Sequence, residues 1–325
     1  MFTIKDEGFV YIPIQYALTW DGKIKGGTSI SITKKQIDTL GDYCNQVGNF
    51  IWDFRNIKHI NDRDFSDVFK NLKQHRRTII ITNVETESSI EKAIRDGIKQ
   101  KQIQEMTCLN EIHKYYFIGE QVDEGFNEFT IDKIHKNYLK ELIDENCIVE
   151  KPQYLVSSGV YSNMQINLKN LFTDVTSFSY IIYLLWDQIC NIQIDGLIAT
   201  SKNGVAFASI LGEMLGLPVL YYNIGQMFEE IYNCSPMIKR DGKYIHVYDM
   251  ICLGSETKIL NALVNAQGGI ILNSIGCICL LDLEIVKIKN RYSAMNHVWC
   301  LLGQKDLKRK YTIYLDNLWE KSNEN

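Results

Sequence analysis

Apolar residues in this chain alternate between short continuous runs and helical spacing. Runs at 49–54 and 78–84 predict buried strands, and apolar positions three and four residues apart predict a helix over 88–100. After residue 190 the same alternation returns. Further strands are predicted near 195–200, 219–222, 244–249 and 270–274. Strands that alternate with helices are typical of an α/β fold with a mostly parallel sheet.

The predicted elements divide the chain into four segments. Residues 1–120 are predicted to form one α/β domain, and residues 121–153 are rich in charge with helical spacing, which indicates a linker helix. Residues 154–284 are predicted to form a second α/β domain. Residues 285–325 are predicted to be a C-terminal helical extension, with short helices near 295–302 and 311–319.

Composition narrows the class of protein. A net charge of −4 with 23% charged residues gives no electrostatic case for nucleic-acid binding. No apolar run approaches the roughly 18 residues that span a bilayer, and the first residues lack a signal-peptide pattern, so a cytoplasmic protein without membrane contact is expected. Nine cysteines without a CxxC pair and six histidines without metal-binding spacing predict no metal held by the protein alone.

Two strands and a loop of the first segment occur in an order that is found in a known domain family. The strand Phe50–Phe54 carries Asp53 near its end, the loop Asn61-Asp62 follows, and Thr78–Val84 is the next strand. This order resembles a STAS-type domain, the fold of anti-sigma-factor antagonists. The resemblance implies a domain that binds partners or nucleotides and rarely catalyses. Asn61-Asp62 stands where that family has a phosphorylated serine, so no phosphorylation switch is expected.

The most informative stretch of the second domain joins a strand to a helix through a glycine-bearing loop. Lys243–Asp249 alternates into the loop 252–255, and a helix is predicted to begin near Ser255. Such a loop presents backbone N–H groups to an anion. It resembles the phosphoribosyl-diphosphate (PRPP) loop of type I phosphoribosyltransferases, which implies a Rossmann-like parallel sheet and an Asp249 that holds ribose hydroxyls.

Two further regions resemble orotate phosphoribosyltransferases. Val156–Ser162 with Ile166–Lys169 matches one segment of that family, and Ile194–Ala206 matches its pyrophosphate loop. The resemblance implies that Asp249 and Lys202 are catalytic and that Mg²⁺ accompanies PRPP. The residues implied to bind PRPP or a nucleotide are Ser158, Gly159, Thr200, Ser201, Lys202, Asn203, Gly204, Asp249, Cys252, Gly254, Ser255 and Thr257.

Several positions around the predicted ligand depart from the family pattern. Ser157 replaces a lysine, Asn223-Ile224 replaces an arginine–lysine pair, Tyr248 replaces an aspartate, and Glu256 replaces a small residue. Cationic groups normally stabilise the leaving pyrophosphate, and a carboxylate at the helix start repels a 5′-phosphate. We therefore expect specialised or altered glycosyl-transfer chemistry.

Three functions remain open at this point. The leading hypothesis is a phosphoribosyltransferase-fold protein that binds PRPP or a nucleotide, as an effector or sensor in a bacterial phage-defence system. The alternatives are a catalytically inactive interaction module and an active orotate-type phosphoribosyltransferase. The expected partners are a phosphosugar or nucleotide ligand and either a second copy of the chain or other proteins of the same operon. No G-x-G-x-x-G follows a predicted strand, so dinucleotide binding has little support.

Overall fold

The computed structural model divides into two compact units, residues 1–138 and 139–325. The residues that the structure describes are 4–6, 9–13, 37–38, 40–42, 49–55, 66, 68, 78–83, 87–97, 103–106, 113–118, 131–155, 161–222, 238–280, 298–308 and 311–314. Among those residues, no helix combines the length and the apolar character that crossing a bilayer requires.

The first unit is built on a mixed sheet of six strands in the order β1-β2-β3-β4-β6-β5. The strands are β1 (Ile4–Asp6), β2 (Phe9–Pro13), β3 (Asn49–Asp53), β4 (Thr78–Asn83), β5 (Ile103–Met106) and β6 (His113–Ile118), and helix α1 (Glu87–Gly97) follows β4. The middle strands β2, β3 and β4 are parallel, whereas β1, β5 and β6 pair antiparallel. The fully buried Trp52 and Ile80 on the central strands show why this region reads as continuous apolar runs.

The second unit contains a small antiparallel sheet beside its larger parallel one. Helix α2 (Ile131–Asn146) crosses the division between the units and leads into β7 (Ile148–Leu155) and β8 (Tyr161–Ile166). The short strand β14 (Ile313–Tyr314) completes this sheet in the order β14-β8-β7. A 3-10 helix at Leu168–Thr173 then leads to α3 (Val175–Ile189).

The parallel sheet of the second unit has five strands in the order β10-β9-β11-β12-β13. Its elements are β9 (Gly196–Ala199), α4 (Lys202–Leu215), β10 (Val219–Tyr221), β11 (Lys243–Ile251), α5 (Ser255–Ala266), β12 (Ile270–Cys279) and β13 (Val298–Gly303). All four predicted strands of this region are present and parallel in one sheet, which confirms the predicted parallel α/β fold. Every residue of β9 is buried, as expected for a central parallel strand.

The predicted helix near 295–302 is wrong. Val298–Gly303 forms β13, which pairs with β12 at the edge of the parallel sheet. A short apolar run is compatible with either a helix or a strand, and only its pairing with Ser274–Cys279 decides between them. The second predicted helix, near 311–319, is also wrong at Ile313–Tyr314, which forms β14 and pairs with β8. Parts of the predicted C-terminal helical extension are therefore strands of the second unit.

Candidate functional site

The strand order reverses between β9 and β11, a switch point at which open α/β sheets have a crevice outside the carboxyl ends of the strands. The connection after β9 runs through α4 to β10 on one side, and β11 lies on the other side of β9. Ligands of open α/β sheets bind at such a switch point, outside the carboxyl ends of the strands. The loops after β9 and β11, and the first turns of α4 and α5, therefore form the candidate site.

The first turn of α4 is fixed by a serine cap and a close approach to β11. Ser201 is the extended N-cap residue, and its Oγ accepts a hydrogen bond of 2.9 Å from the backbone N–H of Gly204. A Cβ at Gly204 would lie 2.8 Å from both Ser201 Oγ and the Val247 carbonyl oxygen. Glycine at this position lets the start of α4 lie directly against β11.

Asp249 joins the two loops. Ser201 Oγ donates to Asp249 Oδ1 at 2.8 Å, and Asn203 Nδ2 donates to Asp249 Oδ2 at 2.8 Å. Asp249 remains partly exposed, and both of these donors are neutral. The carboxylate is thus held in a defined orientation at the crevice without a cation bound to it by either contact.

Behind this pair of loops lies a buried polar chain that the sequence analysis did not identify. His246 is 1% exposed; its Nε2 lies 3.2 Å from Thr200 Oγ1, and its Nδ1 lies 3.2 Å from Ser274 Oγ. Burial lowers the pKa of His246 to about 3, so the imidazole is neutral at physiological pH. The only signal in the sequence was the alternation of β11, which places His246 and Tyr248 on the same face.

The start of α5 differs from that of α4. Gly254 is its N-cap residue with a left-handed backbone (φ 72°), and no side chain caps this end of the helix. Glu256 lies in the first turn, and Thr200 Oγ1 donates to Glu256 Oε2 at 3.4 Å. Although the residue as a whole is exposed, desolvation of its carboxyl group and then the charge of Asp249 raise the pKa of Glu256.

The remaining residues of the predicted PRPP loop have different surroundings. Ser255 is exposed at the start of α5, whereas Thr257 is buried. Cys252 Sγ lies 4.0 Å from the Tyr311 hydroxyl, and burial raises the pKa of Cys252 to about 11. A thiol with that pKa is protonated near neutral pH.

Tyr248 occupies the position where the family resemblance expected an aspartate, and it lies outside the crevice. Its hydroxyl donates to the Trp299 carbonyl oxygen at 2.7 Å, and a Cβ at Gly276 would lie 2.3 Å from its ring. Because successive strand residues point to opposite faces, Tyr248 packs toward β12 and β13 while Asp249 points toward α4. The crevice therefore has one aspartate at this position instead of two.

Lys202 and Lys239 lie at opposite ends of the parallel strands. Lys202 is exposed in the first turn of α4 and has no ion pair with the part of the chain that the structure describes. Lys239 Nζ is 2.7 Å from Asp195 Oδ1, at the amino end of β9. Lys239 is therefore at the opposite end of the parallel strands from the crevice, whereas Lys202 lies at the start of α4, next to the crevice.

The structure brings five of the predicted site residues together around Asp249: Thr200, Ser201, Lys202, Asn203 and Gly204 precede or open α4 next to it. Cys252, Gly254, Ser255 and Thr257 lie in the second loop and the first turn of α5. Ser158 and Gly159 lie outside the described residues. Within the described ranges, no group of three His, Cys, Asp or Glu side chains is arranged to hold a metal ion.

Known proteins similar to this chain include orotate phosphoribosyltransferases. The chain is 25% identical to the enzyme of that name from Sulfurisphaera tokodaii over 142 residues, which are 43% of this chain and 71% of that protein. The crystal structure of orotate phosphoribosyltransferase from Aeropyrum pernix covers 51% of this chain and 95% of its own, with 15% identity and a TM-score of 0.42. UMP synthase of Leishmania donovani covers 91% of this chain and 57% of its own, with 12% identity and a TM-score of 0.42.

No family model matches the sequence. Structural similarity at these scores carries no information about a ligand. The strand order of the second unit and the 25% sequence identity are separate observations from the structural superpositions. The chain is therefore similar in sequence to an orotate phosphoribosyltransferase, and its second unit has a parallel α/β sheet.

Proposed function

We propose that the second unit binds PRPP or a nucleotide in the crevice between β9 and β11 and carries out altered glycosyl-transfer chemistry on it. The observation that carries this proposal is the convergence of Ser201 and Asn203 on Asp249 at the switch point of the sheet. The sequence similarity to an orotate phosphoribosyltransferase supports the ligand class.

In this proposal the two loops hold different parts of the ligand. Asp249 accepts hydrogen bonds from ribose hydroxyls, because a carboxylate has lone pairs beyond those used by its two protein donors. Lys202 and the backbone N–H groups at the start of α4 face the pyrophosphate or phosphate, where the helix N-terminus favours negative charge. Asp249 and Lys202 are the proposed catalytic residues. Ser158, Gly159, Thr200, Gly204, Cys252, Gly254, Ser255 and Thr257 complete the proposed binding set.

A magnesium ion fits this arrangement only together with the ligand. Mg²⁺ prefers oxygen ligands and commonly binds through one or two carboxylates plus substrate phosphates. Asp249 offers such a carboxylate at the crevice. When bound with PRPP, Mg²⁺ would neutralise part of the negative charge of the pyrophosphate.

The wider biological setting also belongs to the proposal. The first unit is proposed to be a STAS-like partner-binding domain, and the whole chain to act in the cytoplasm as a phage-defence effector or sensor. Assembly as a homodimer, or with proteins of the same operon, is part of this hypothesis. The exposed aromatic Tyr221 at the end of β10 offers one anchor for such a contact.

Two alternatives have an observation in their favour. Lys239 is paired with Asp195 away from the crevice, and the loss of a cation there favours a catalytically inactive interaction module. The similarity to the Sulfurisphaera tokodaii protein favours an active orotate-type phosphoribosyltransferase. The two alternatives differ in one measurable quantity, the release of pyrophosphate from PRPP in the presence of orotate.

The experiment is a thermal-shift and calorimetric screen of the full chain with PRPP and Mg²⁺, nucleoside monophosphates and orotate. A ligand at about 100 times its Kd stabilises the folded state by about 2.7 kcal/mol. Binding of PRPP or a monophosphate that Asp249→Ala weakens supports the proposal. Rapid pyrophosphate release with orotate replaces it by the orotate-type enzyme, and the absence of binding by every probe replaces it by the interaction module.

A further inference from the structure

His246 is a polar residue in the most buried part of the parallel sheet. It lies on β11, the middle strand of five, and its neighbours in register are Ile198 on β9 and Ser274 on β12. Residues 244–248 are all buried. Burying an imidazole costs free energy unless its nitrogens are hydrogen-bonded, and an apolar side chain avoids that cost. Packing alone therefore does not account for a histidine at this position.

Both ring nitrogens of His246 are in contact with hydroxyl groups. Nδ1 lies 3.2 Å from Ser274 Oγ, and Nε2 lies 3.2 Å from Thr200 Oγ1. The residues that carry these hydroxyls are buried as well. A neutral imidazole has one N–H donor and one lone-pair acceptor, so one hydroxyl donates to the ring and the other accepts from it. The ring therefore fixes the direction in which each hydroxyl proton points.

The direction at Thr200 follows from its second neighbour. Thr200 Oγ1 also lies 3.4 Å from Glu256 Oε2, and an ionised carboxylate only accepts. The Thr200 proton therefore points away from the ring, and the Thr200 oxygen accepts from His246 Nε2–H. Nδ1 then accepts from the Ser274 hydroxyl. Because hydroxyl donors usually lie about 2.7–2.8 Å from their acceptors, the long contact with Glu256 leaves this proton available to a closer acceptor.

Thr200 connects the buried polar chain to the crevice. It follows β9 directly and precedes Ser201, which donates to Asp249 Oδ1 at 2.8 Å. On its other side, the Ala199 carbonyl oxygen accepts from the Tyr222 N–H at 2.9 Å. The chain is thus held on both sides of Thr200, and His246 sets the orientation of the hydroxyl group between them.

We propose that His246 is a positioning residue for the ligand: it accepts from Ser274, donates to the Thr200 oxygen, and thereby directs the Thr200 proton into the crevice. This inference rests on the proposed function and deepens it. The ligand presents an acceptor oxygen to Thr200, such as a phosphate or pyrophosphate oxygen, and the two form a charge-assisted hydrogen bond.

The binding test is a double-mutant cycle, with PRPP and Mg²⁺ titrated into the full chain by calorimetry. Thr200→Val removes the hydroxyl at nearly constant volume and is expected to weaken binding about tenfold. His246→Leu removes the ring donor and is expected to weaken binding about threefold. In the Thr200→Val background His246→Leu is expected to cause no further loss, because His246 acts only through that hydroxyl.

A conservative variant and a matched control separate positioning from packing. His246→Gln has an amide N–H that can donate to Thr200, so we expect its affinity for PRPP to lie within about twofold of the wild-type value. Tyr248→Phe removes a hydroxyl from the same face of β11, but that hydroxyl donates to the Trp299 carbonyl oxygen. Tyr248→Phe is therefore expected to lower stability and to leave the affinity unchanged.

The tautomer of His246 can be measured in the wild-type protein without any substitution. Long-range ¹H–¹⁵N NMR spectra distinguish an imidazole protonated at Nε2 from one protonated at Nδ1. The Nε2–H form is expected at pH 7. The Nδ1–H form would overturn the inference, because Thr200 would then donate its proton to the ring instead of the ligand.

The binding outcomes separate this inference from the proposed function. If the wild-type protein binds PRPP but Thr200→Val binds it equally well, or if the two losses add in the double variant, the inference is wrong and the proposed function stands. If PRPP, nucleoside monophosphates and orotate all fail to bind the wild-type protein, both are wrong. Affinities are compared below the thermal unfolding temperature of every variant, so that loss of folded protein does not imitate loss of binding.

Discussion

The two units each carry an aspartate at the carboxyl end of a parallel strand, but its surroundings differ. Asp53 ends β3, is 3% exposed, and accepts hydrogen bonds from Arg55 Nη2 at 2.7 Å and from the Tyr11 hydroxyl at 2.6 Å. Asp249 lies near the end of β11, is partly exposed, and accepts from the neutral donors Ser201 and Asn203.

The difference separates a structural carboxylate from one that is available to a ligand. Burial by itself raises the pKa of Asp53, but the charge and hydrogen bonds of Arg55, with the hydrogen bond from Tyr11, outweigh it and leave the pKa below its ordinary value. The charge of Asp53 is therefore neutralised within the protein. The partners of Asp249 within the described residues, Ser201 and Asn203, are neutral, so the charge of Asp249 is not neutralised by them at the crevice.

The largest expected effect comes from breaking the closed network of the first unit. Arg55→Leu leaves Asp53 buried without its counter-charge, and we expect the free energy of unfolding of this unit to fall by about 3–5 kcal/mol. This loss is measured by urea unfolding, with hydrogen exchange of the β3 backbone amides as the probe. The matched control is Arg95→Leu. Arg95 forms an i,i+4 ion pair with Glu91 on the surface of α1, and we expect its loss to lower the free energy of unfolding by about 0.5 kcal/mol or less. Equal losses in the two variants would contradict a structural role for Asp53.

Acidification tests a feature that the units share. His135 and His246 are both buried, and burial as the main cause lowers the pKa of each to about 3. Between that value and the ordinary value of 6.5 the unfolded chain holds more protons than the folded one, so stability falls as pH falls. From pH 7 to pH 5 each histidine should lower the free energy of unfolding by about 2 kcal/mol.

The measurement is urea unfolding of the wild-type protein, His135→Gln and His246→Gln across that pH range. Each substitution should reduce the pH dependence of its own unit and leave that of the other unit unchanged. A His246→Gln protein with the full wild-type pH dependence in the second unit would show that this imidazole is not held neutral.

Removing the carboxylate of Asp249 should weaken ligand binding. Asp249→Ala is expected to weaken the binding of PRPP or a nucleoside monophosphate by about 1–3 kcal/mol through lost hydroxyl hydrogen bonds. Calorimetry measures the affinity, with Glu213→Ala at the exposed far end of α4 as the control. Unchanged affinity, together with a large loss of stability, would make Asp249 as structural as Asp53.

The smallest expected effect sharpens the comparison to two neighbouring residues. Tyr248→Phe removes the hydrogen bond to the Trp299 carbonyl and should lower the free energy of unfolding by about 1 kcal/mol. Ligand affinity should not change, because Tyr248 and Asp249 point to opposite faces of β11. A weaker affinity in Tyr248→Phe would show that the two faces are coupled.

The sequence determined the local parts of the second unit. Apolar runs defined the central strands, and the polar and glycine residues that follow them defined the two loops with Ser201 and Gly254 at the helix starts. These features depend on neighbours within a few residues, since strand burial and helix capping are local preferences. Asp249 could therefore be predicted at the end of its strand, next to a loop suited to an anion.

Only the tertiary structure decided the features that join distant segments. Val298–Gly303 is a strand because it pairs with the edge of β12. Tyr248 lies outside the crevice because its ring packs against Gly276 and its hydroxyl donates to the Trp299 carbonyl oxygen on the other face. The link from His246 to Ser274 likewise joins side chains on two parallel strands. Such contacts depend on strand order and register, which no local pattern specifies, because they are set by how the whole sheet packs.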